Sequence, residues 1–145
     1  MKKQLLFSLL TLISISIMSC KREGCTDPDS LTFDDKAKSD DGTCKYDGSI
    51  TFWYNGQAAD KMIAENITTL TFYVNNKIIG STASNIYWTS SPGCEGGGNI
   101  YVKEDLGTAK SKSQSYKVLD QDGDEVWAGT VIFKANTCTA TELLY

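Results

Sequence analysis

The chain has 145 residues, a formal net charge of −4 and no histidine. A mildly acidic chain without clustered basic residues does not favour nucleic-acid binding, which depends on Lys and Arg displacing counterions from phosphates. The lack of histidine removes the commonest general base and metal ligand, and with it the Ser–His–Asp and Cys–His catalytic arrangements.

The first twenty residues have the pattern of an export signal. Lys2 and Lys3 precede an apolar stretch over 5–18, and the small residue Ser19 comes directly before Cys20. A basic start, a short apolar middle and a small residue before a cut are typical of a secretory signal, and the stretch is too short to span a bilayer. We expect cleavage after Ser19, which removes signal peptide 1–19 and changes the net charge to about −6.

The cysteine that ends this stretch makes the signal resemble that of bacterial lipoproteins. Ser19 matches the family's small residue before the cut and Ile17 matches its apolar position, whereas Met18 is larger than usual. The resemblance implies that the thiol of Cys20 receives a diacylglycerol and that Cys20 becomes the new N-terminus. In the best-known sorting system an aspartate after the lipidated cysteine retains lipoproteins at the inner membrane. Lys21 stands there instead, so we expect a lipid-anchored envelope protein at the outer membrane, with surface exposure left open.

The remaining cysteines are expected to form two disulfide bonds. If lipid occupies Cys20, the sequence leaves Cys25, Cys44, Cys94 and Cys138. An exported protein meets an oxidising compartment, where such cysteines pair. Four cysteines allow three pairings, and the local spacing favours joining the first two and the last two. A zinc site is the weaker alternative, because no CxxC spacing occurs.

A short polar tether, 20–24, leads into a segment that resembles a small module of exported Bacteroidetes proteins. The segment spans 25–46, and the match is carried by its flanks at 24–28 and 40–46, whereas 31–33 departs from the family's pattern. The resemblance implies a disulfide-closed mini-module near the anchor, and it does not imply an activity. Too few apolar side chains lie here to form a core, and such a segment needs a covalent staple.

Six aspartates in turn-like segments are candidate calcium ligands, because hard cations prefer several carboxylate oxygens. These are Asp27, Asp40, Asp41, Asp120, Asp122 and Asp124. No full D-x-D-x-D-G loop with a closing glutamate is present. Asp-Pro and Asp-Asp-Gly are ordinary turn formers, so we favour turns and expect no resident metal or cofactor.

From residue 49 onward the pattern is that of β-strands with a period of two. The predicted strands are 49–54, 67–74, 77–81, 86–89, 99–103, 114–120, 125–134 and 139–144. Hairpin turns are predicted at 75–76 and 121–124, and one helix at 58–65. Seven or eight short strands predict an all-β domain over 47–145, a small antiparallel β-sandwich of the immunoglobulin or transthyretin type.

The same region resembles small lipoprotein domains of the Bacteroidetes. The resemblance rests on the opening strand at 48–53, the hairpin at 74–80, Cys94 before a glycine-rich loop, the W-x-G-x-V strand at 127–131, and Cys138. It implies a β-sandwich with a bridge between these two cysteines, and it brings no established activity.

Other catalytic motifs receive little support. No S-x-x-K sequence lies on a predicted helix, and 96–98 lacks the Lys-Ser/Thr end of a phosphate-binding loop. Paired carboxylates are a further possibility for glycoside cleavage. The glutamates Glu65, Glu95, Glu104 and Glu125 have no sequence context that places them in a cleft. We therefore expect a non-enzymatic protein.

Aromatic residues are the remaining candidates for a binding surface, because flat rings stack on sugars and peptides. Tyr73 lies on the strand face opposite the apolar residues, and Tyr87 and Trp88 lie in a later strand. We predict these three as possible ligand contacts. Trp127 lies beside Gly129, whose missing side chain leaves room for a large ring, so we predict that Trp127 packs in the core.

Two functions remain open. The first is a non-enzymatic envelope lipoprotein that serves as an interaction or accessory module. The second is a carbohydrate- or peptide-binding module of a nutrient-uptake system, which an exposed aromatic patch would favour. In both, the lipid anchor holds the protein at the membrane and its other partner is a protein or a glycan, not a nucleic acid.

Overall fold

The computed structural model describes residues 21–94 and 100–145. Seven strands and one helix lie in these ranges: β1 Tyr46–Trp53, α1 Gly56–Ala64, β2 Thr69–Val74, β3 Lys77–Ala83, β4 Ile100–Gly107, β5 Ser111–Leu119, β6 Glu125–Lys134 and β7 Cys138–Glu142. The predicted all-β class is confirmed.

The strands form two sheets that pack as a β-sandwich. One sheet has the order β4-β1-β7 and the other has the order β3-β2-β5-β6. Neighbouring strands are antiparallel except β1 and β7, which run parallel. The predicted small sandwich is confirmed, and the parallel pair is a feature that the sequence pattern did not indicate.

The core between the sheets is formed by apolar residues that alternate along the strands. The alternating apolar residues of β1, β2 and β6 are buried, namely Ile50, Phe52, Leu70, Phe72, Val74, Val131 and Phe133. The ring of Phe52 lies 5.9 Å from that of Phe72 and 5.1 Å from that of Tyr116, both in the opposite sheet. Tilted aromatic pairs at this spacing stabilise a core beyond the area they bury.

Two hairpins close where the sequence predicts turns. Asn75 and Asn76, between β2 and β3, have φ angles of 48° and 62°. Asparagine tolerates this left-handed conformation, which tight hairpins require. Between β5 and β6, Gly123 has a φ of 88°, and the Asp120 amide donates a hydrogen bond to the Asp124 carbonyl at 2.9 Å.

Helix α1 begins two residues before its predicted start. The side-chain oxygen of Asn55 accepts a hydrogen bond from the Ala58 amide at 3.0 Å, which caps the helix. Ala58, Ala59 and Met62 are buried on one side, whereas Ile63 is half exposed. The helix therefore covers part of the core with one face.

The predicted strand at 86–89 is wrong, because these residues form an irregular loop. The Ile86 amide donates to the Ala83 carbonyl at 3.1 Å, which turns the chain away from the sheet. The Trp88 amide then donates to the Tyr54 carbonyl at 3.0 Å. The apolar side chains here pack near the end of β1 and the start of α1, which a local strand pattern does not reveal.

Both predicted disulfide bonds are present. Cys25–Cys44 closes the mini-module, and Cys94–Cys138 links the loop after β3 to the start of β7. Their Cα atoms lie 4.9 and 6.1 Å apart, and the bridges span 19 and 44 positions. In the chain-entropy model, bridges of this span each stabilise the fold by about 3–4 kcal/mol through the unfolded chain.

Candidate functional site

The predicted signal peptide and the predicted lipidation residue Cys20 lie outside the described residues. In the described ranges, no helix is long and apolar enough to cross a membrane. Residues of the predicted tether are hydrogen-bonded to the mini-module: the Arg22 carbonyl accepts from the Lys38 amide at 2.8 Å, and the Gly24 amide donates to the Ser39 carbonyl at 3.1 Å.

The mini-module is organised around the hydroxyl of Ser30, which is only 8% exposed. Its Oγ donates to the Lys45 carbonyl at 2.8 Å and accepts from the Lys45 amide at 2.9 Å and the Thr32 amide at 3.1 Å. These bonds tie the module to the residue just before β1. A buried polar network and a disulfide bond thus replace the apolar core that the segment lacks.

Asp27 joins the mini-module to the sandwich. Its carboxylate accepts a hydrogen bond from the Tyr46 hydroxyl at 2.8 Å and pairs with the Lys110 ammonium group in the turn between β4 and β5. The hydrogen bonds from Lys110 and then Tyr46 lower the pKa of Asp27 from 3.8 to about 2. This calcium candidate therefore makes a charged structural contact.

Turn hydrogen bonds also engage three of the other calcium candidates. Asp40 and Asp41 each accept a hydrogen bond from the amide two residues ahead, at 3.1 and 3.0 Å. Asp120 accepts from the amides of Asp122 and Asp124, both at 2.9 Å. Within 21–94 and 100–145, no three Cys, Asp or Glu side chains are grouped so as to hold a metal ion. These contacts support turn stabilisation as the role of the aspartates.

Tyr73 lies on the outer face of the four-stranded sheet and is half-buried. The ammonium group of Lys117, on the neighbouring strand β5, lies 5.2 Å from the centre of its ring, a cation–π contact. Tyr73 and Lys117 line a shallow groove of about 220 Å³ with Glu125 and Ala128. The lysine thus covers part of the ring surface on which a ligand would stack.

Tyr87 and Trp88 lie together on the loop after β3. Tyr87 is 49% exposed, and its ring packs over Gly56, where a Cβ atom would lie 3.1 Å from the Tyr87 Cε2 atom. Trp88 is half-buried beside a gap of only about 10 Å³. Tyr73 lies near the β2–β3 hairpin, at the opposite end of β3 from this loop, so the three predicted contact residues do not share one surface.

Trp127 packs at the margin of the core. It is half-buried, its indole ring stacks on Tyr54 with 5.7 Å between ring centres, and its Nε1 donates to the Leu144 carbonyl at 3.0 Å. It therefore packs against the core from its edge, and is not the buried core residue that the sequence predicts. The ring beside Gly129 is that of Tyr116, however, since a Cβ atom at position 129 would lie 2.9 Å from Tyr116 Cε1.

Sequence reasoning missed Gln114, on β5. This side chain is only 6% exposed, and neither its oxygen nor its nitrogen has a hydrogen-bond partner among the described residues. A buried polar group without a partner typically costs about 1–3 kcal/mol. The signal that would have found it is the period of two, because Gln114 shares a strand face with Tyr116 and Val118, and Val118 is fully buried.

Gln114 lines a cleft of about 280 Å³ at one side of the sandwich. The cleft lies between β3 and β4, each of which is the edge strand of its sheet. Its other lining residues are aliphatic or polar, namely Val74, Asn75, Lys77, Ile78, Ile79, Val102, Lys103 and Glu104. The cleft therefore lies beside an edge strand of each sheet.

Comparison with known proteins finds no matching protein family, no similar curated protein and no similar solved structure.

Proposed function

We propose that the protein is a non-enzymatic lipoprotein of the cell envelope, with lipid on Cys20 and a β-sandwich that serves as an interaction or accessory module at the outer membrane or cell surface. The observation that carries the proposal is the pairing of the other four cysteines in two disulfide bonds. Disulfide bonds persist in oxidising compartments, which supports export. Their pairing also leaves Cys20 for the lipid that the lipoprotein-like signal predicts.

The short stretch of chain between the proposed lipid on Cys20 and the first described contacts supports a mini-module close to the membrane surface. Arg22 Nε already donates to the Asp34 carboxylate at 2.8 Å, two residues after Cys20. The mini-module is held to the sandwich by Asp27 and Lys110. A lipid on Cys20 would therefore place the sandwich directly behind the mini-module rather than on a long flexible stalk.

The test is metabolic labelling with a palmitate analogue, followed by membrane fractionation. Cys20→Ala should abolish labelling and release soluble protein, because a diacylated N-terminus supplies two-chain anchoring. Ser19→Ala, which keeps a small residue before the cut, is the matched control and should stay labelled. Labelled Cys20→Ala protein would refute the anchor, and fractionation of the wild-type protein with inner membranes would refute the outer-membrane location.

The alternative function is a carbohydrate- or peptide-binding module of a nutrient-uptake system. The specific observation that favours a binding role is the cleft of about 280 Å³ between β3 and β4, which is lined by aliphatic and polar side chains. Binding pockets commonly combine apolar walls with a few convergent polar groups.

A further inference from the structure

We infer that the mini-module contacts the bilayer that holds the proposed lipid on Cys20, with the exposed side chains of Leu31 and Phe33 inserted at the boundary between headgroups and acyl chains. This contact rests on the proposed lipid anchor. It adds to the anchor a second point of attachment and a defined end of the sandwich that faces the membrane.

Leu31 and Phe33 lie on one exposed turn of the mini-module. Leu31 is 65% exposed and Phe33 is 45% exposed. Backbone hydrogen bonds fix the turn, since the Leu31 amide donates to the Lys45 carbonyl at 2.8 Å and the Phe33 amide donates to the Ser30 carbonyl at 3.3 Å. The turn therefore holds two large apolar side chains in water, where their exposure is unfavourable.

This turn lies beside the part of the chain that leads from the proposed anchor. Phe33 forms an isolated β-bridge with Cys25, and the Asp34 amide donates to the Cys25 carbonyl at 2.9 Å. The Asp34 carboxylate also accepts a hydrogen bond from Arg22 Nε at 2.8 Å. Single exposed apolar side chains are common on protein surfaces, but these two lie together next to the segment that follows Cys20.

The length of chain between the lipid and the mini-module keeps the module at the bilayer. Two residues of extended chain, from Cys20 to Arg22, reach at most about 7 Å. The Arg22 carbonyl is already bonded to the Lys38 amide at 2.8 Å, so no long spacer separates the module from the headgroups. Some side of the module then meets the lipid. The side that removes Leu31 and Phe33 from water is favoured, because apolar burial strengthens binding at the interface.

The charge of this region indicates that apolar insertion, and not attraction to anionic lipid, decides the contact. Residues 21–46 contain five basic and seven acidic residues, which gives a net charge of −2. A segment without an excess of basic residues gains nothing from anionic headgroups. The contact should therefore form on zwitterionic lipid and should persist at high salt.

The far end of the sandwich provides an internal reference. The mini-module adjoins Tyr46, the first residue of β1, and β1 ends at Trp53, eight residues along the strand. At about 3.3 Å per residue this separates the two ends by roughly 25 Å. The Leu143 amide donates to the Trp53 carbonyl at 2.8 Å, so the exposed side chain of Leu144 belongs to the end away from the mini-module.

The three native tryptophans lie at that same far end. Trp53 ends β1, the Trp88 amide donates to the Tyr54 carbonyl at 3.0 Å, and the Trp127 ring stacks on Tyr54. Their fluorescence therefore reports on the part of the sandwich that should face away from the membrane.

The experiment uses the full-length lipidated protein in phosphatidylcholine vesicles with brominated acyl chains, which quench tryptophan on contact. Wild-type emission should be unchanged by the bromine. Phe33→Trp keeps an aromatic ring and should lose up to about a quarter of its emission, since one tryptophan of four would meet the acyl chains. Leu144→Trp, the matched control at the far end, should lose none. High salt should not reverse the quenching of Phe33→Trp.

A second measurement needs no substitution in the turn. In hydroxyl-radical footprinting, Phe33 of the vesicle-bound wild-type protein should be oxidised at least about threefold more slowly than Phe33 of soluble Cys20→Ala protein. Leu144 should be oxidised at the same rate in both. This comparison decides the matter if Phe33→Trp does not fold.

Palmitate labelling of the wild-type protein separates the two possible failures. If the protein is labelled but folded Phe33→Trp is unquenched, or Phe33 is oxidised as fast on vesicles as in solution, the membrane contact is overturned and the anchor stands. That result would assign the turn to a protein partner. Equal quenching of Phe33→Trp and Leu144→Trp would also overturn the contact. An unlabelled protein would refute the anchor and the contact together.

Discussion

Gly48 of β1 lies directly against the backbone of Lys134 at the end of β6. A Cβ atom at position 48 would overlap the Lys134 carbonyl oxygen and lie 3.0 Å from its amide nitrogen. The two residues belong to different sheets. Beside them, the Asn136 amide donates to the Asp47 carbonyl at 2.8 Å. The absence of a side chain at Gly48 therefore allows the two sheets to meet at this corner.

Gly48→Ala should lower the free energy of unfolding by about 2–3 kcal/mol, because overpacking against backbone cannot be relieved by a rotamer change. Urea unfolding measures the effect. Gly80→Ala is the matched control: its Cβ would meet only side-chain atoms of Ile100, the Cδ1 methyl at 3.0 Å and Cγ2 at 3.9 Å, and the Cδ1 methyl is able to rotate away. Equal losses in the two variants would contradict the backbone contact.

The Asp27–Lys110 contact should make the mini-module sensitive to acid. The folded-state pKa of Asp27 is about 2 against an ordinary value of 3.8, so its contribution to stability is present above about pH 4 and is lost as the pH falls toward 2. Lys110→Met should return the pKa of Asp27 toward its ordinary range, as followed by carboxyl NMR shifts. Lys112→Met removes the same charge from a Glu104 pair and should leave the pKa of Asp27 unchanged. If the pKa of Asp27 in Lys110→Met stays at its wild-type value, the contact between Asp27 and Lys110 would be rejected.

Tyr54 should make the folding stability of the protein fall at alkaline pH. Burial raises its pKa from 10.0 to about 12, and its hydroxyl donates to the Ala83 carbonyl at 2.9 Å. The associated stability is present below about pH 10 and is lost as the pH rises toward 12. Tyr54→Phe should weaken the pH dependence of unfolding in this window, at a cost of about 1 kcal/mol near neutral pH. Tyr101→Phe, at a 47% exposed site, is the matched control variant. A Tyr54→Phe protein whose unfolding keeps the wild-type pH dependence in this window would contradict the role of Tyr54.

Trp127→Ala should lower the free energy of unfolding by about 3 kcal/mol, near the lower end for large aromatic truncations because the ring is only half-buried. Trp127→Phe keeps a ring for Tyr54 but loses the Nε1 hydrogen bond to Leu144, and should cost about 1 kcal/mol. Chemical denaturation of both variants measures the difference. A Trp127→Ala protein with wild-type stability would show that the indole does not support the core.

The local parts of the fold were predictable because local rules decide them. Asn75 and Asn76 adopt the left-handed conformation that their residue type tolerates, and the faces of β1 and β2 follow the alternation of apolar residues. The Cys94–Cys138 bridge was predicted from spacing and from a resemblance. The start of α1 was predicted two residues too late, because Asn55 was not recognised as the N-cap of the helix.

The parts that depend on distant pairing were not predictable. The parallel alignment of β1 with β7 joins segments about ninety positions apart, as in the pairing of Ser49 with Cys138. The contact of Gly48 with Lys134 likewise depends on how the two sheets meet. In the candidate site, alternation would have placed Gln114 toward the core, but only the folded chain shows that its carboxamide has no partner among the described residues.

The most direct test of the proposed envelope lipoprotein is the intact mass of the protein purified from membranes without reduction. The account predicts a chain that begins at Cys20, carries a diacylglycerol on that residue, and lacks the four hydrogens that two disulfide bonds remove. A membrane-derived protein that begins elsewhere, or whose Cys20 is unmodified, would contradict it.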